Sequence, residues 1–149
     1  MNTRRLIVAE SPAAYLQRPR LVVDASVICA LVYGEAHADE AEAWLRARAL
    51  CAPHLIDMEV ANTGLTKLRR GGVDPKSLAT AIDWYAATDL ERHPVDVPAV
   101  LALAIDYGLS AYDASYLWLA DSLGAPLATF DKQLGEAAKR HLGGAPPAK

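Results

Sequence analysis

The chain has 149 residues, 52% of them hydrophobic, which suits one compact domain and excludes intrinsic disorder as a description of the whole. Its 15 basic and 18 acidic residues give a formal net charge of −3, which argues against gripping nucleic acid by bulk positive charge. Two cysteines, Cys29 and Cys51, are too few for a disulfide scaffold and lie in apolar surroundings. We therefore expect both to be buried free thiols.

No segment has the length of a membrane anchor. The longest uncharged apolar runs, 25–33 and 97–105, have nine residues each, whereas about 18 are needed to cross a bilayer. The N-terminus carries arginines but no apolar stretch typical of a secretory signal. These features predict a cytoplasmic protein that makes no membrane contact.

The chain divides into three parts. Residues 1–20 contain two prolines and no sustained period, so we interpret them as an N-terminal arm. Residues 21–142 form the predicted domain. The GGAPPAK segment at 143–149 is predicted to be a loose C-terminal tail.

Within the domain, short β-branched or apolar runs alternate with longer segments of helical period. The predicted strands are 21–24, 50–52, 91–95 and 127–129. The predicted helices are 25–33, 38–50, 54–70, 75–87, 97–107, 111–123 and 131–140. This alternation indicates the α/β class, as a sandwich around a short, mainly parallel sheet.

Four acids fall near strand ends or helix starts: Asp24, Glu59, Asp113 and Asp131. Ligands of parallel sheets gather at the carboxyl ends of the strands, so we expect these acids to meet at one edge. Unpaired, their carboxylates would repel one another and lose solvation. A hard divalent cation removes both penalties, because Mg²⁺ takes oxygen ligands and keeps several waters.

The sequence also allows alternatives to a magnesium site: a zinc site, or structural roles for the four acids. Zinc calls for His and Cys at close spacing, and the four histidines show no such pattern in the sequence. Asp24 and Asp131 could equally be N-caps of the helices after their strands. Ser110 competes with Asp113 for the cap of its helix, and Glu59 near a helix start could simply favour the helix dipole.

Four strings then become recognisable: VVDASV at 22–27, APHLIDMEVANTGLTKL at 52–68, LSAYDASYLWLA at 109–120 and LATFDKQL at 127–134. Together they resemble the PIN-domain ribonucleases, and they look most like the VapC-type toxins of bacterial toxin–antitoxin pairs. The resemblance runs from about residue 21 to about residue 141. It implies a three-layer α/β/α sandwich with a PIN-like nuclease domain.

The resemblance also implies roles for particular residues. Asp24 and Asp113 match direct ligands of Mg²⁺, with Mn²⁺ as a substitute, and Glu59 and Asp131 match acids that act through water. Three further residues match polar positions beside these acids: Ser26, Asn62 and Thr129. Ser26 and Thr129 keep an alternative reading as local helix caps.

The activity that the resemblance implies is metal-dependent endonucleolytic hydrolysis of RNA, leaving 5′-phosphate and 3′-hydroxyl ends. It also implies a homodimer that is held inactive by a small antitoxin, whose C-terminal segment places a basic side chain among the acids. A rival interpretation is a catalytically silent module whose acidic groove docks a basic partner peptide. A phosphorylated receiver-type domain fits less well, since VVDAS lacks paired acids.

Basic and aromatic side chains provide candidate RNA contacts. The basic candidates lie on elements that also carry site acids: Lys67, Arg69, Arg70 and Lys132. Each reads equally well as part of a solvated helix face or as a partner of the helix dipole. Five aromatics could stack on unpaired bases, but we favour core or dimer contacts for them: Trp44, Trp84, Trp118, Tyr112 and Tyr116.

The net charge has a different meaning once a metal site is assumed. Without the four predicted site acids, 14 acidic residues face 15 basic ones, and the balance changes from −3 to +1. The acidity of the chain is then concentrated in the predicted metal site and does not argue against an RNA substrate.

Overall fold

The computed structural model describes residues 18–143. Its strands are β1 (Arg20–Val23), β2 (Ala49–Pro53), β3 (Leu90–His93) and β4 (Leu127–Ala128). Its helices are α1 (Ala25–Val32), α2 (Ala38–Leu45), α3 (Ile56–Arg69), α4 (Pro75–Ala86), α5 (Val97–Tyr107), α6 (Ala111–Leu123) and α7 (Lys132–Leu142). The arm at 1–20 and the tail at 143–149 lie mostly outside the described residues.

The four strands form one sheet in the order β3-β2-β1-β4, and every pairing within it is parallel. Arg20 is opposite Ala49, and Leu50 is opposite Leu90, which fixes the register of the first three strands. All four carboxyl ends therefore point to the same edge of the sheet. The predicted short parallel sheet is confirmed.

The helices form two layers around the sheet. Helix α1 contacts α2, α3 and α4, whereas α6 contacts α5 and α7 and lies on β1, β2 and β4. The core between the layers is aliphatic, with β1 fully enclosed from Leu21 to Val23. Such continuous apolar strands are typical of a sheet covered on both faces. The three-layer α/β/α sandwich is confirmed.

Edge strand β3 is fastened to the α3–α4 layer by an ionic cluster. The Arg92 Nε atom lies 2.9 and 3.1 Å from the two carboxylate oxygens of Asp57 on α3. The Tyr85 hydroxyl of α4 donates to the same carboxylate at 2.6 Å. Charge-assisted pairing of this kind holds both elements against the outer strand.

The largest error in the predicted elements concerns the helix at 38–50. Helix α2 ends at Leu45, Ala47 has a φ of 58°, and the chain enters β2 at Ala49. Ala, Arg and Leu favour helix, so no local residue indicates this end. Pairing of Ala49 with Arg20 in the sheet overrides that propensity. The other predicted boundaries lie within two residues of the observed ones, and the helices at 97–107 and 111–123 match at both ends.

Two further expectations concern the described region. Cys29 and Cys51 are both buried and free, as predicted. Between residues 18 and 143, no helix is long and apolar enough to cross a membrane.

Candidate metal centre

Asp24 lies directly after β1 and at the centre of the carboxyl edge of the sheet. Its side chain is only 4% exposed. One carboxylate oxygen accepts the backbone N–H groups of Ser26 at 2.8 Å and Val27 at 3.3 Å and the Ser26 hydroxyl at 2.5 Å. The other oxygen accepts the Thr129 hydroxyl at 2.5 Å. The carboxylate is thus the N-cap of α1 and is also fixed from the end of β4.

The two hydroxyl residues connect the ends of β1 and β4 through further hydrogen bonds. Phe130 donates its backbone N–H to the Ser26 hydroxyl at 2.9 Å, and Asp131 donates its own to Thr129 Oγ1 at 2.9 Å. Ser26 and Thr129 therefore orient Asp24, which goes beyond a local capping role. This placement agrees with the predicted positions of both hydroxyls beside the acid.

Glu59 projects from the first turn of α3 and is half-buried. The hydroxyl of Tyr116, on α6, donates a hydrogen bond to its carboxylate. Burial raises the pKa of Glu59 above its ordinary value, the Tyr116 hydrogen bond lowers it, and the charges of Asp24 and Asp113 raise it. Through Tyr116, which follows Asp113 by three residues, Glu59 is joined to the helix that carries Asp113.

Asp113 lies in the first turn of α6, and Ser110 is the N-cap of that helix. The Ser110 hydroxyl accepts the backbone N–H of Asp113 at 3.0 Å and lies 2.8 Å from its Oδ2 atom. Between the two cap candidates, Ser110 takes the cap. The Asp113 carboxylate is held at the helix start and half-buried, with no capping task of its own.

Asp131 follows β4 and has a more peripheral position. It is exposed, and its carboxylate accepts the backbone N–H of Leu134 at 2.7 Å as the N-cap of α7. Its connection to Asp24 runs through Thr129. Asp131 therefore caps helix α7, which is one of the roles that the sequence left open. It also borders the acidic cluster, to which Thr129 connects it.

The carboxylates of these acids are better suited to binding a hard divalent cation than to direct contact with one another, because like charges repel. Burial raises the pKa of Asp24, and the hydrogen bonds from Ser26 and Thr129 lower it again. A bound cation would offset the repulsion between neighbouring carboxylates and the loss of solvation of the buried ones. Oxygen ligands from three separated segments that remain partly open to solvent suit Mg²⁺ or Mn²⁺, which keep waters when bound.

A cysteine nucleophile is not available at this site. Burial, together with nearby Glu35, Asp24 and Glu59, raises the pKa of the Cys29 thiol to about 11. Such a thiol stays neutral near pH 7, and the neutral form is a poor nucleophile.

The predicted RNA-contact residues differ in their distance from the acids. Lys67 pairs with Glu35 at 2.8 Å, and Arg69 ends α3 ten residues after Glu59, about 15 Å further along the axis. Arg70 follows Arg69, while Lys132 is next to Asp131 and exposed. Asn62 is exposed one helical turn after Glu59. Their contact with RNA stays a prediction.

Most aromatic candidates belong to the core. Trp44 and Trp118 pack against it, and Tyr116 is 1% exposed. Trp84 and Tyr112 are exposed instead. The sequence reasoning missed the role of Tyr116 as the partner of Glu59. Its position three residues after Asp113, on the same face of a helix, was the available signal.

Comparison with known proteins identifies the family that shares this sequence and fold. The PIN domain family matches residues 21–140. Ribonuclease VapC3 of Pyrobaculum aerophilum is 34% identical over 78% of this chain and 93% of its own length. Exonuclease VapC9 of the same organism is 36% identical over 76% of this chain and 81% of its own length.

The fold agrees with these matches. The crystal structure of PAE2754 from Pyrobaculum aerophilum superposes with a TM-score of 0.60 at 28% identity, covering 85% of this chain and 96% of that one. The family match covers all four strings that carry the acids. This chain therefore belongs to the PIN-domain family, in its group of VapC ribonucleases.

Proposed function

We propose that this protein is a Mg²⁺- or Mn²⁺-dependent endoribonuclease and the toxin of a toxin–antitoxin pair. The observation that carries the proposal is the hydrogen bond from Tyr116 to Glu59, which joins the start of α3 to the helix that carries Asp113. Asp24 follows β1 at the carboxyl edge of the same sheet. Burial and the charges of Asp24 and Asp113 raise the pKa of Glu59, and a carboxyl group perturbed by burial and by specific charged neighbours is typical of functional sites.

In this proposal, Asp24 and Asp113 hold the cation directly, and Glu59 and Asp131 act through water. When bound, the cation supplies activation of the attacking water and neutralisation of charge on the phosphodiester. Ser26 and Thr129 keep the Asp24 carboxylate in one orientation, so little rearrangement is needed on binding.

Lys132 beside Asp131 is the nearest of the basic candidates along the chain and would contact a phosphate close to the acids. Lys67, Arg69 and Arg70, towards the far end of α3, would contact neighbouring nucleotides. Asn62 faces the substrate from the turn after Glu59.

The proposed partners follow from the same site. A small antitoxin would inhibit the enzyme by placing a basic side chain among the acids, where it replaces the charge of the cation. We also propose a homodimer, supported by an exposed apolar stripe on α5. Val97, Leu101 and Ile105 recur at four-residue steps and are 68%, 55% and 73% exposed. A stripe of this kind can be covered symmetrically by a second copy of the chain.

The deciding experiment uses circular RNA, because a molecule without ends is cut only by an endonuclease. The test is needed because one relative is named an exonuclease. We expect the purified protein to linearise circular RNA with Mg²⁺ or Mn²⁺ and to leave it intact in EDTA. Asp24→Asn and Asp113→Asn should each lower the rate about a hundredfold or more, because each removes a charge that is fixed in the site.

The matched control is Asp83→Asn, which makes the same chemical change at an exposed position on α4. It should cut as the wild type does, and circular dichroism should show all three variants folded. Equal cutting by wild type and both site variants would refute the proposed roles. Failure of the folded, antitoxin-free protein to cut linear or circular RNA would favour the silent peptide-docking module.

A further inference from the structure

A second group of metal-ligating side chains lies on the outer half of the sheet. Cys51 on β2 is the register partner of Glu91 on β3, and His93 follows Glu91 by two residues. Side chains alternate along a strand, so all three project from the same face. One ligand atom from each residue lies within 4.8 Å of those of the other two.

This group is separate from the ionic cluster that fastens β3 to α3 and α4. Arg92, between Glu91 and His93, projects to the opposite face, where it binds Asp57. None of the four site acids belongs to the group. It was invisible in the sequence because 40 residues separate Cys51 from Glu91.

The imidazole of His93 lacks a proper partner. Its Nε2 atom is hidden from solvent and makes no hydrogen bond, although it lies 3.2 Å from Oε1 of Glu91. A buried polar nitrogen without a hydrogen bond destabilises the folded state. His141 has a similar Nε2 atom, 3.2 Å from Asp121, but among residues 18–143 no third ligand joins that pair.

The chemical types of the three ligands indicate which metal ion they would bind. Thiolate, imidazole and carboxylate together are ligands of zinc, whereas Mg²⁺ prefers oxygen alone. Zinc–ligand bonds of about 2.0–2.3 Å in a tetrahedron put neighbouring ligand atoms roughly 3.5 Å apart. The His93–Glu91 separation of 3.2 Å is already close to that value, and a ligand atom of Cys51 lies within 4.8 Å of those of both residues.

We propose that Cys51, Glu91 and His93 form a zinc site, with water in the fourth position. The buried thiol lies beneath the site, and the more exposed Glu91 leaves the fourth position open to solvent. Zinc there would clamp the edge strand β3 to β2 from the face opposite Arg92. The His93 carbonyl also accepts the backbone N–H of His54, just before α3. The site would therefore stabilise the connection that leads to Glu59.

Binding is tested on the full chain with Co²⁺ and Zn²⁺ as probes. We expect Co²⁺ to produce a thiolate charge-transfer band that stoichiometric Zn²⁺ abolishes. Zn²⁺ should raise the melting temperature of the wild type. Cys51→Ala should lose the band, and His93→Gln and Glu91→Gln should weaken Zn²⁺ binding at least about tenfold.

Three controls locate the metal. Cys29→Ala removes the other buried thiol, His141→Gln removes the other unpartnered imidazole, and Asp24→Asn alters the acidic site. All three should keep the band. The proposal is overturned if the wild type gives no band, if Cys51→Ala keeps it, or if His93→Gln and Glu91→Gln bind Zn²⁺ like the wild type. Because Cys51→Ala alters the core, the two edge-strand variants keep the test decisive if that variant does not fold.

Discussion

At the scale of single residues, Glu59 is the most finely balanced group in the acidic cluster. Burial and the neighbouring charges of Asp24 and Asp113 raise its pKa, and only the Tyr116 hydroxyl opposes them. Tyr116 is itself nearly buried, and burial together with Glu59 raises the pKa of its phenol far above the usual range. The phenol therefore stays protonated and always donates. Tyr116 is a positioning residue whose hydrogen bond favours the ionised form of Glu59.

Tyr116→Phe should move the acidic limb of the pH–rate profile to higher pH. The substitution removes the hydrogen bond that favours the charged form, so the pKa of Glu59 rises. Within the pH range of this limb, Glu59 is protonated in a larger fraction of the variant molecules, so cleavage by the variant is slower. At high pH the rate recovers. The measurement is the cleavage rate against pH at saturating Mg²⁺.

A matched control for this variant is Tyr107→Phe. The Tyr107 hydroxyl lies 3.0 Å from His141 Nδ1, so this change also removes a hydrogen bond, but away from the acids. Its acidic limb should coincide with that of the wild type. An unshifted limb in Tyr116→Phe, or a rate lowered equally at every pH, would show that the hydroxyl does not control Glu59.

At the scale of elements, helix α3 carries Glu59 and packs against both α1 and α4. The close approach occurs at Gly64, in the middle of the helix. A Cβ atom there would lie 2.5 Å from the Tyr33 hydroxyl and 2.7 Å from Leu78 Cδ1. The Tyr33 hydroxyl cannot move freely, since it donates to the Val60 carbonyl at 2.6 Å. Glycine is required here by packing, although it weakens a helix.

Gly64→Ala should therefore destabilise the protein. Alanine gains about 1 kcal/mol in helix propensity, but overpacking costs about 1–3 kcal/mol and displacement of Tyr33 breaks a hydrogen bond worth about 1 kcal/mol. The expected net loss is about 1–3 kcal/mol in the free energy of unfolding, measured with urea. Gly72→Ala is the comparison, because its Cβ would be no closer than 3.5 Å to Lys67 O. A stability of Gly64→Ala equal to that of Gly72→Ala would contradict the packing argument.

At the scale of the whole molecule, the apolar stripe on α5 determines how two copies would meet. Three large aliphatic side chains face solvent on one helix, which is unusual for a monomer. The opposite side of α5 packs on α6, the helix that carries Asp113 and Tyr116. A dimer formed through α5 would thus lie one helix away from the acidic cluster.

Ile105→Glu should convert the proposed dimer to a monomer, because it would bury a charge within the apolar contact. Light scattering after size exclusion should give 16.0 kDa for the variant and twice that mass for the wild type. Trp84→Glu changes an exposed aromatic residue on α4 and should remain dimeric. If Trp84→Glu dissociates and Ile105→Glu does not, the contact surface lies on α4 instead.

The sequence by itself determined the fold class and the element order, and it predicted which acids form the candidate site. These depend on local signals: apolar periodicity, caps such as Asp74 and Asp96, and acids placed at element ends. Only the tertiary structure decided the end of α2, the Tyr116–Glu59 hydrogen bond and the grouping of Cys51, Glu91 and His93. Each of these depends on strand order, register or helix packing, which bring together residues that are far apart in the sequence, so that local patterns do not identify their partners.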